Sequence, residues 1–225
     1  KGSNMKEKID YLVKAWQVVT MNETRDVIHN GAIAVNNGII LDVGKTDRIE
    51  ALYEPKEVLG GSRFVLTPGM VNSHIHITGE PLTRGYVPDD IDFAQNVFEW
   101  LCPLYSVYTA EEEKLSGQLA AVEMLKSGTT TFLEAGTCRF LEEIFEGLEE
   151  VGIRGRLGRW AWDLPPEPEV YKQNTDEAIE FLHTQLDTYK NIANGRLAAW
   201  SILVGHNTCS DPLWKAARER ATEFG

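Results

Sequence analysis

The sequence predicts an α/β chain: the first four β/α units of a (β/α)8 TIM barrel, preceded by the N-terminal part of a small flanking β-sandwich. Three observations predict it. From Thr67 onward, β-branched runs alternate with amphipathic stretches of helical period, which implies a parallel sheet covered by helices. No glycine-rich phosphate loop follows the first of these runs, as an open doubly wound sheet usually shows. That first run ends instead in histidines, and in a barrel the C-terminal strand ends form the active-site face. The expected divisions are residues 1–4, which read as an expression remnant before Met5, residues 5–66, the sandwich part, and residues 67–225, the first half of the barrel.

The elements follow in order. Ile9 to Thr20 is a β-like run; Asn30-Gly31 and Asn36-Asn37-Gly38 are turns that close hairpins with Ala32 to Val35 and Ile39 to Val43; Arg63 to Leu66 adds a strand. Met70 to His76 is the first barrel strand. Thr109 and Glu112 form a capping box for a helix with the apolar stripe Leu115, Leu119, Val122 and Leu125, stopped by Ser127-Gly128. Thr129 to Glu134 is the second strand, followed by a helix on Leu141, Ile144, Phe145, Leu148 and Val151 that ends at Gly152. Ile153 to Trp160 is the third strand. Asn174 and Glu177 cap a helix on Ile179, Leu182, Leu186 and Tyr189, closed by Asn194-Gly195. Leu197 to Val204 is the fourth strand. Ser210 starts a last helix, with Pro212 in its first turn and Leu213, Ala217, Ala221 and Phe224 on its buried face.

Composition narrows the function. With 225 residues, 43% of them apolar, the chain can bury a core. The formal charge is -12, and no cluster of Lys and Arg forms a phosphate-tracking stripe, which argues against nucleic acid. The longest apolar stretch, Leu197 to Gly205, is interrupted by Ser201 and far too short to span a bilayer. Cys102, Cys138 and Cys209 are odd in number and widely spaced, so they form neither a disulfide framework nor a zinc knuckle. A polar N-terminus without a signal-peptide core completes the expectation of a cytoplasmic protein.

The chemistry lies in Thr67-Pro68-Gly69-Met70-Val71-Asn72-Ser73-His74-Ile75-His76. Residues i and i+2 of a strand point to the same side, so His74 and His76 project together and Ile75 faces away. Two neutral imidazoles side by side suit a borderline divalent ion such as zinc, with iron as the alternative. A bare H-x-H is more often a pair on a solvent-facing strand. Its place at the end of a barrel strand, after a Pro-Gly turn, in a chain with five histidines, favours the metal. His29 fits a turn and His183 the polar face of a helix.

Residues 68–76 resemble the P-G-[LMF]-[VI]-[ND]-x-H-x-H signature of the amidohydrolase superfamily. The resemblance extends to its deaminase and chlorohydrolase branch through Arg84-Gly85, Asp89-Asp90, Trp100-Leu101, Pro103, the segment Glu123 to Thr131, His206 and Cys209-Ser210. It covers Leu66 to Gly225. It implies that His74 and His76 are the first two metal ligands, that His206 faces the substrate, and that Trp100 and Tyr105 belong to the substrate wall. Two-metal members bridge their ions with a lysine on strand four; Leu197 to Val204 holds none, which implies a single metal. Methylthioadenosine and adenosylhomocysteine deaminases place a ribose-binding glutamate where this chain has Tyr105. A tyrosine offers no two-oxygen acceptor for a diol, so a free heterocycle is expected rather than a nucleoside.

The implied activity is hydrolysis of a non-peptide C–N bond in a small heterocycle, with deamination first. The metal lowers the pKa of a water, and His206 steadies charge or orients the ring. Amide or lactam hydrolysis and triazine dehalogenation use the same chemistry and remain open, because function resides in the loops. A reading from another class is a non-catalytic half-barrel that binds a partner chain. The family's third metal histidine and its H-x-x-E glutamate are expected beyond Gly225, so no catalytic acid or base is assigned here. The 225-residue chain alone is expected to be inactive unless it continues or a second chain completes it. Two open sheet edges favour assembly into a homo-oligomer.

Overall fold

The computed structural model describes residues 5–164 and 172–224. Two compact units are present, Lys1–Pro68 and Gly69–Gly225. In the first, β1 (Glu7–Val19), β2 (Val27–Asn36), β3 (Ile39–Lys45) and β4 (Tyr53–Leu66) form a sheet in the order β3-β2-β1-β4. The pairs β1/β2 and β2/β3 are antiparallel, and β1/β4 is parallel, with α1 (Thr46–Leu52) joining β3 to β4. Its core is Ile9, Leu12, Ala32, Ala34 and Ile49.

Two expectations need correcting here. Asn30-Gly31 is not a turn: it lies inside β2, with Gly31 opposite Ala15. Asn30 absorbs a left-handed φ of 48° within the strand, which asparagine tolerates. The strand expected at Arg63 to Leu66 is only the end of the 14-residue β4. Upstream of Arg63 the strand carries Glu54, Lys56 and Glu57, charges that an edge strand exposed along most of its length accommodates well.

In the second unit, β5 (Met70–Ile75), β6 (Thr129–Glu134), β7 (Arg154–Leu157) and β8 (Leu197–Ala199) form a parallel sheet in that order. The third and fourth strands are shorter than expected; past their ends, isolated Thr137–Arg159 and Ala161–Leu203 bridges are found among the described residues. After β5 come α2 (Glu80–Thr83), a π-helical segment (Gln95–Leu101) and α3 (Cys102–Val107), none of which local periodicity revealed. Then follow α4 (Ala110–Lys126), α5 (Leu141–Val151), α6 (Thr175–Thr188) and α7 (Asp211–Phe224). Both expected capping boxes form, Thr109 with Glu112 and Asn174 with Glu177. Helix α6 closes at Tyr189, and Asn194-Gly195 belongs to a separate 3-10 turn. Ser210 does not stand free at the start of α7: its N–H and hydroxyl both donate to Asp163, which also accepts from Thr175.

Helix α4 packs on the face opposite to its apolar stripe. Leu115, Leu119, Val122 and Leu125 are 38–52% exposed, while Ser116, Gly117, Ala120 and Ala121 are buried. Small side chains let the helix approach closely. Ser116 Oγ donates to the Ile77 carbonyl at 3.0 Å, and Gly117 lies against Ile144 and Ile77. Likewise Leu213 and Ala217 of α7 are buried, but Ala221 and Phe224 are exposed. The core between sheet and helices is built from Ile75, Phe132, Ile144, Leu148, Leu157 and Leu197.

Glu113, on the buried face of α4, anchors the next helix. Its carboxylate accepts from the N–H groups of Arg139 and Phe140 at 2.9 and 3.2 Å, at the start of α5. Burial pushes this carboxyl from its ordinary value near 4.5 up to about 7, against the lowering effect of those bonds. A carboxyl raised on folding contributes stability below its unfolded pKa and loses it as pH rises through the folded one. Between pH 4.5 and 7, wild type should therefore lose about 3 kcal/mol relative to Glu113→Gln. Urea unfolding of both proteins at the two pH values measures this, and a pH-independent difference contradicts it.

Candidate metal centre

Strand β5 delivers the two histidines through an irregularity. Its register with β6 slips between Asn72, opposite Phe132, and Ile75, opposite Glu134. Ser73 and His74 thus face the single residue Leu133, and the Asn72 side chain steadies the slip by accepting from the His74 N–H at 3.2 Å. Ile75 turns into the core, while His74 and His76 line the same cavity. The strand ends at Ile75, so His76 sits just past its expected place at the strand terminus.

The two imidazole centroids are 5.1 Å apart, with the rings nearly perpendicular at 87°. A tetrahedral ion bound by two imidazole nitrogens at about 2.0–2.1 Å puts their ring centroids roughly 5 Å apart, so the pair fits one ion. Burial, with a smaller contribution from His74, pushes the His76 pKa down to about 4. The ring is then neutral around pH 7, as a metal ligand must be. Among the described residues no group of three or more His, Cys, Asp or Glu could hold a metal ion. The pair therefore fits as two members of the three or more ligands that zinc sites use.

Behind His76 lies Glu134, the last residue of β6. It is fully buried, with Oε1 3.9 Å from His76 Nδ1. Burial pushes its carboxyl up to about 7, against bonds from Thr137 and Gly136 that lower it. Sequence reading assigned Glu134 only to a strand. The signal available was a lone acid closing a β-branched run, too common to single out.

The histidines open into a cavity of about 420 Å³ walled by Phe93, Val97, Leu101, Tyr105, Trp160 and Trp200. A second cavity of about 430 Å³, bordered by Arg84, Asp89 and Asn96, shares His76, Leu101 and Tyr105 with the first. Tyr105 is 2% exposed and packs on Gly79, where an added Cβ would lie 2.2 Å from its ring. Trp160 contacts His76, Tyr105 and Trp162, with centroids 6.2, 6.4 and 5.4 Å away. Its indole N–H donates to the Ala135 carbonyl, and that of Trp200 to the Glu134 carbonyl at 3.0 Å. Neither indole was singled out from the sequence, where Trp160 closed the third expected strand and Trp200 lay inside the fourth.

The remaining sequence-derived residues lie apart. Trp100, in the π-helical segment, is 38% exposed and lines neither cavity, although Val97 and Leu101 of that segment do. His206 is exposed in the turn after β8, with its ring stacked on Trp214 of α7 at 4.9 Å and 22°. The structure brings Tyr105 into one cavity with His74 and His76 and does not bring Trp100 or His206 there.

Comparison with known proteins places this geometry. The chain is 37% identical over 158 residues to the 5-methylthioadenosine/S-adenosylhomocysteine deaminase of Thermodesulfovibrio yellowstonii, covering 69% of the chain and 35% of that protein. It is 31% identical over 212 residues to the 5'-deoxyadenosine deaminase of Methanococcoides burtonii, covering 94% of the chain and 46% of that protein. It shares its fold with a zinc-bound adenosine deaminase from Xanthomonas campestris, at a TM-score of 0.82 and 24% identity, covering 98% of this chain and 48% of that one. The chain spans about half the length of the relatives it matches, or less. Residues 65–225, from the end of β4 through both histidines to the last helix, match the amidohydrolase family, and the chain belongs to that family.

Proposed function

We propose that this chain supplies the first part of the active site of a metal-dependent hydrolase that deaminates a small heteroaromatic compound. The observation that carries the reading is the His74–His76 pair, with centroids 5.1 Å apart, at the mouth of an aromatic cavity of about 420 Å³. That volume lies in the range of small-molecule sites. A divalent ion held there, zinc before iron, supplies an activated water near neutral pH. The chain's own side chains do the rest of what is in view. His74 and His76 offer neutral nitrogens; Trp160 and Trp200 present flat apolar surfaces to a ring. The four-stranded sheet is read as half of a (β/α)8 barrel, residues 67–225, and residues 5–66 as part of a β-sandwich. The three buried free cysteines suit a reducing cytoplasm. The exposed leucine stripe of α4 suits assembly into a homo-oligomer.

The named relatives are nucleoside deaminases. By the family resemblance, Tyr105 stands where such deaminases hold ribose with a glutamate, and a buried phenol cannot accept from both hydroxyls of a ribose. The expected substrate is therefore a free purine, pyrimidine or triazine. The test is ammonia release by the protein with its barrel completed, zinc-loaded and chelator-treated, across free bases, triazines and nucleosides. Metal-dependent release from free rings at least about tenfold above the nucleosides is expected, roughly 1.4 kcal/mol of discrimination. Equal turnover of adenosine derivatives refutes the role given to Tyr105, and release that survives the chelator refutes the metal-dependent reading.

A further inference from the structure

The Glu134 carboxylate is held by donors from one short turn. Gly136 N donates to Oε2 at 2.6 Å; Thr137 N and Thr137 Oγ1 donate to Oε1 at 3.0 and 2.6 Å. The Thr78 hydroxyl, itself buried, donates to Thr137 Oγ1 at 3.1 Å, which leaves the Thr137 proton to point at Glu134. The carboxylate is thus fixed in direction as well as place. Among the described residues, its one ion-pairing neighbour within 4 Å is His76, whose buried Nδ1 lies 3.9 Å from Oε1. Among the described residues no arginine or lysine forms an ion pair with it, and an isolated buried carboxylate is costly.

We propose that Glu134 is a positioning residue for His76, an inference that rests on reading His74 and His76 as metal ligands. A neutral imidazole carries one ring proton, and a carboxylate beside Nδ1 favours the tautomer that bears it there. Nε2 then keeps its lone pair, at the ring edge away from Glu134, for the ion. The anion also raises the basicity of the ligand it supports. The arrangement runs Thr78 to Thr137 to Glu134 to His76, so the aim of the second ligand is fixed by β6 and the turn after it, not by β5 alone. The bulge at Ser73-His74 explains why such support matters: it interrupts the regular backbone pairing at His74, and pairing resumes only at Ile75, one residue before His76.

The test uses the 225-residue chain with zinc alone as the probe. Histidine labelled with ¹⁵N reports the tautomer of each ring at pH 8 without metal, and His76→Asn assigns its signals. Wild type should show His76 protonated at Nδ1 and bare at Nε2. Glu134→Gln, close in shape but uncharged, should lose this preference and bind zinc about 10–100-fold more weakly. A circular-dichroism melt confirms that the variant is folded. A wild-type His76 protonated at Nε2 overturns the proposal whatever the variant does. So does a folded Glu134→Gln that keeps zinc affinity within twofold and the Nδ1–H tautomer. If His74→Ala/His76→Ala binds zinc as wild type does, the metal-ligand reading itself has failed, and the role of Glu134 falls with it.

Discussion

His74→Ala/His76→Ala should leave the protein without detectable bound zinc. The two rings are the candidate ligands that the described residues place together: their centroids are 5.1 Å apart, and among those residues no third His, Cys, Asp or Glu joins them. An ion at this place has no substitute ligand nearby. Glu134 is the nearest carboxylate, but Oε1 and Oε2 both take hydrogen bonds from the Gly136–Thr137 turn, and Oε1 stops 3.9 Å short of His76. Removing both imidazoles deletes two bonds of about 2.0–2.1 Å at once, and the loss should exceed the 10–100-fold effect of a supporting residue. The fold should survive, because His74 is exposed on an edge strand and His76 lines a cavity rather than the close-packed core. Metal analysis after gel filtration settles it. Stoichiometric zinc on the double variant refutes the assignment.

Gly136→Ala should cost more than any other single methyl group added near the site. Gly136 has φ 106°, where side chains are rarely tolerated, and its added Cβ would fall 1.8 Å from Trp160 Cδ1 and 2.2 Å from Nε1. The indole cannot simply move aside. Its N–H bonds the Ala135 carbonyl, its backbone N–H bonds the Gly136 carbonyl at 2.8 Å, and its ring touches His76, Tyr105 and Trp162. Backbone strain of about 1–3 kcal/mol and overpacking of about 1–3 kcal/mol both act, so roughly 2–6 kcal/mol should be lost. Against a total stability of about 5–15 kcal/mol, that is enough to unfold part of the population. Denaturant titration reads the loss directly. A variant within about 1 kcal/mol of wild type contradicts this account of the turn.

What the sequence revealed was local. The spacing of His74 and His76, the capping boxes at Thr109 and Asn174, and strand β6 are each decided within a few residues, and each stands in the structure. What it concealed depends on chain that arrives from elsewhere. Glu113 and Glu134 look like ordinary surface acids until α5 and the turn after β6 supply the N–H groups that hold them. The leucines of α4 misled because hydrophobicity identifies an oily face, whereas close packing on the sheet selected the smooth one. Trp160 and Trp200 lie 40 residues apart in sequence, and only the pairing of β7 with β8 brings them to one cavity.

Strand β5 has a further consequence for how the protein responds to its ligand. Among the described residues it bonds to β6 alone, and the register slip removes regular bonds just where the histidines begin. Amides there should exchange with deuterated solvent sooner than those of β6, which is flanked on both sides. An ion that binds only the ordered strand draws on that local opening free energy, so metal uptake and the slowing of isotope exchange at residues 72–76 are two readings of one equilibrium.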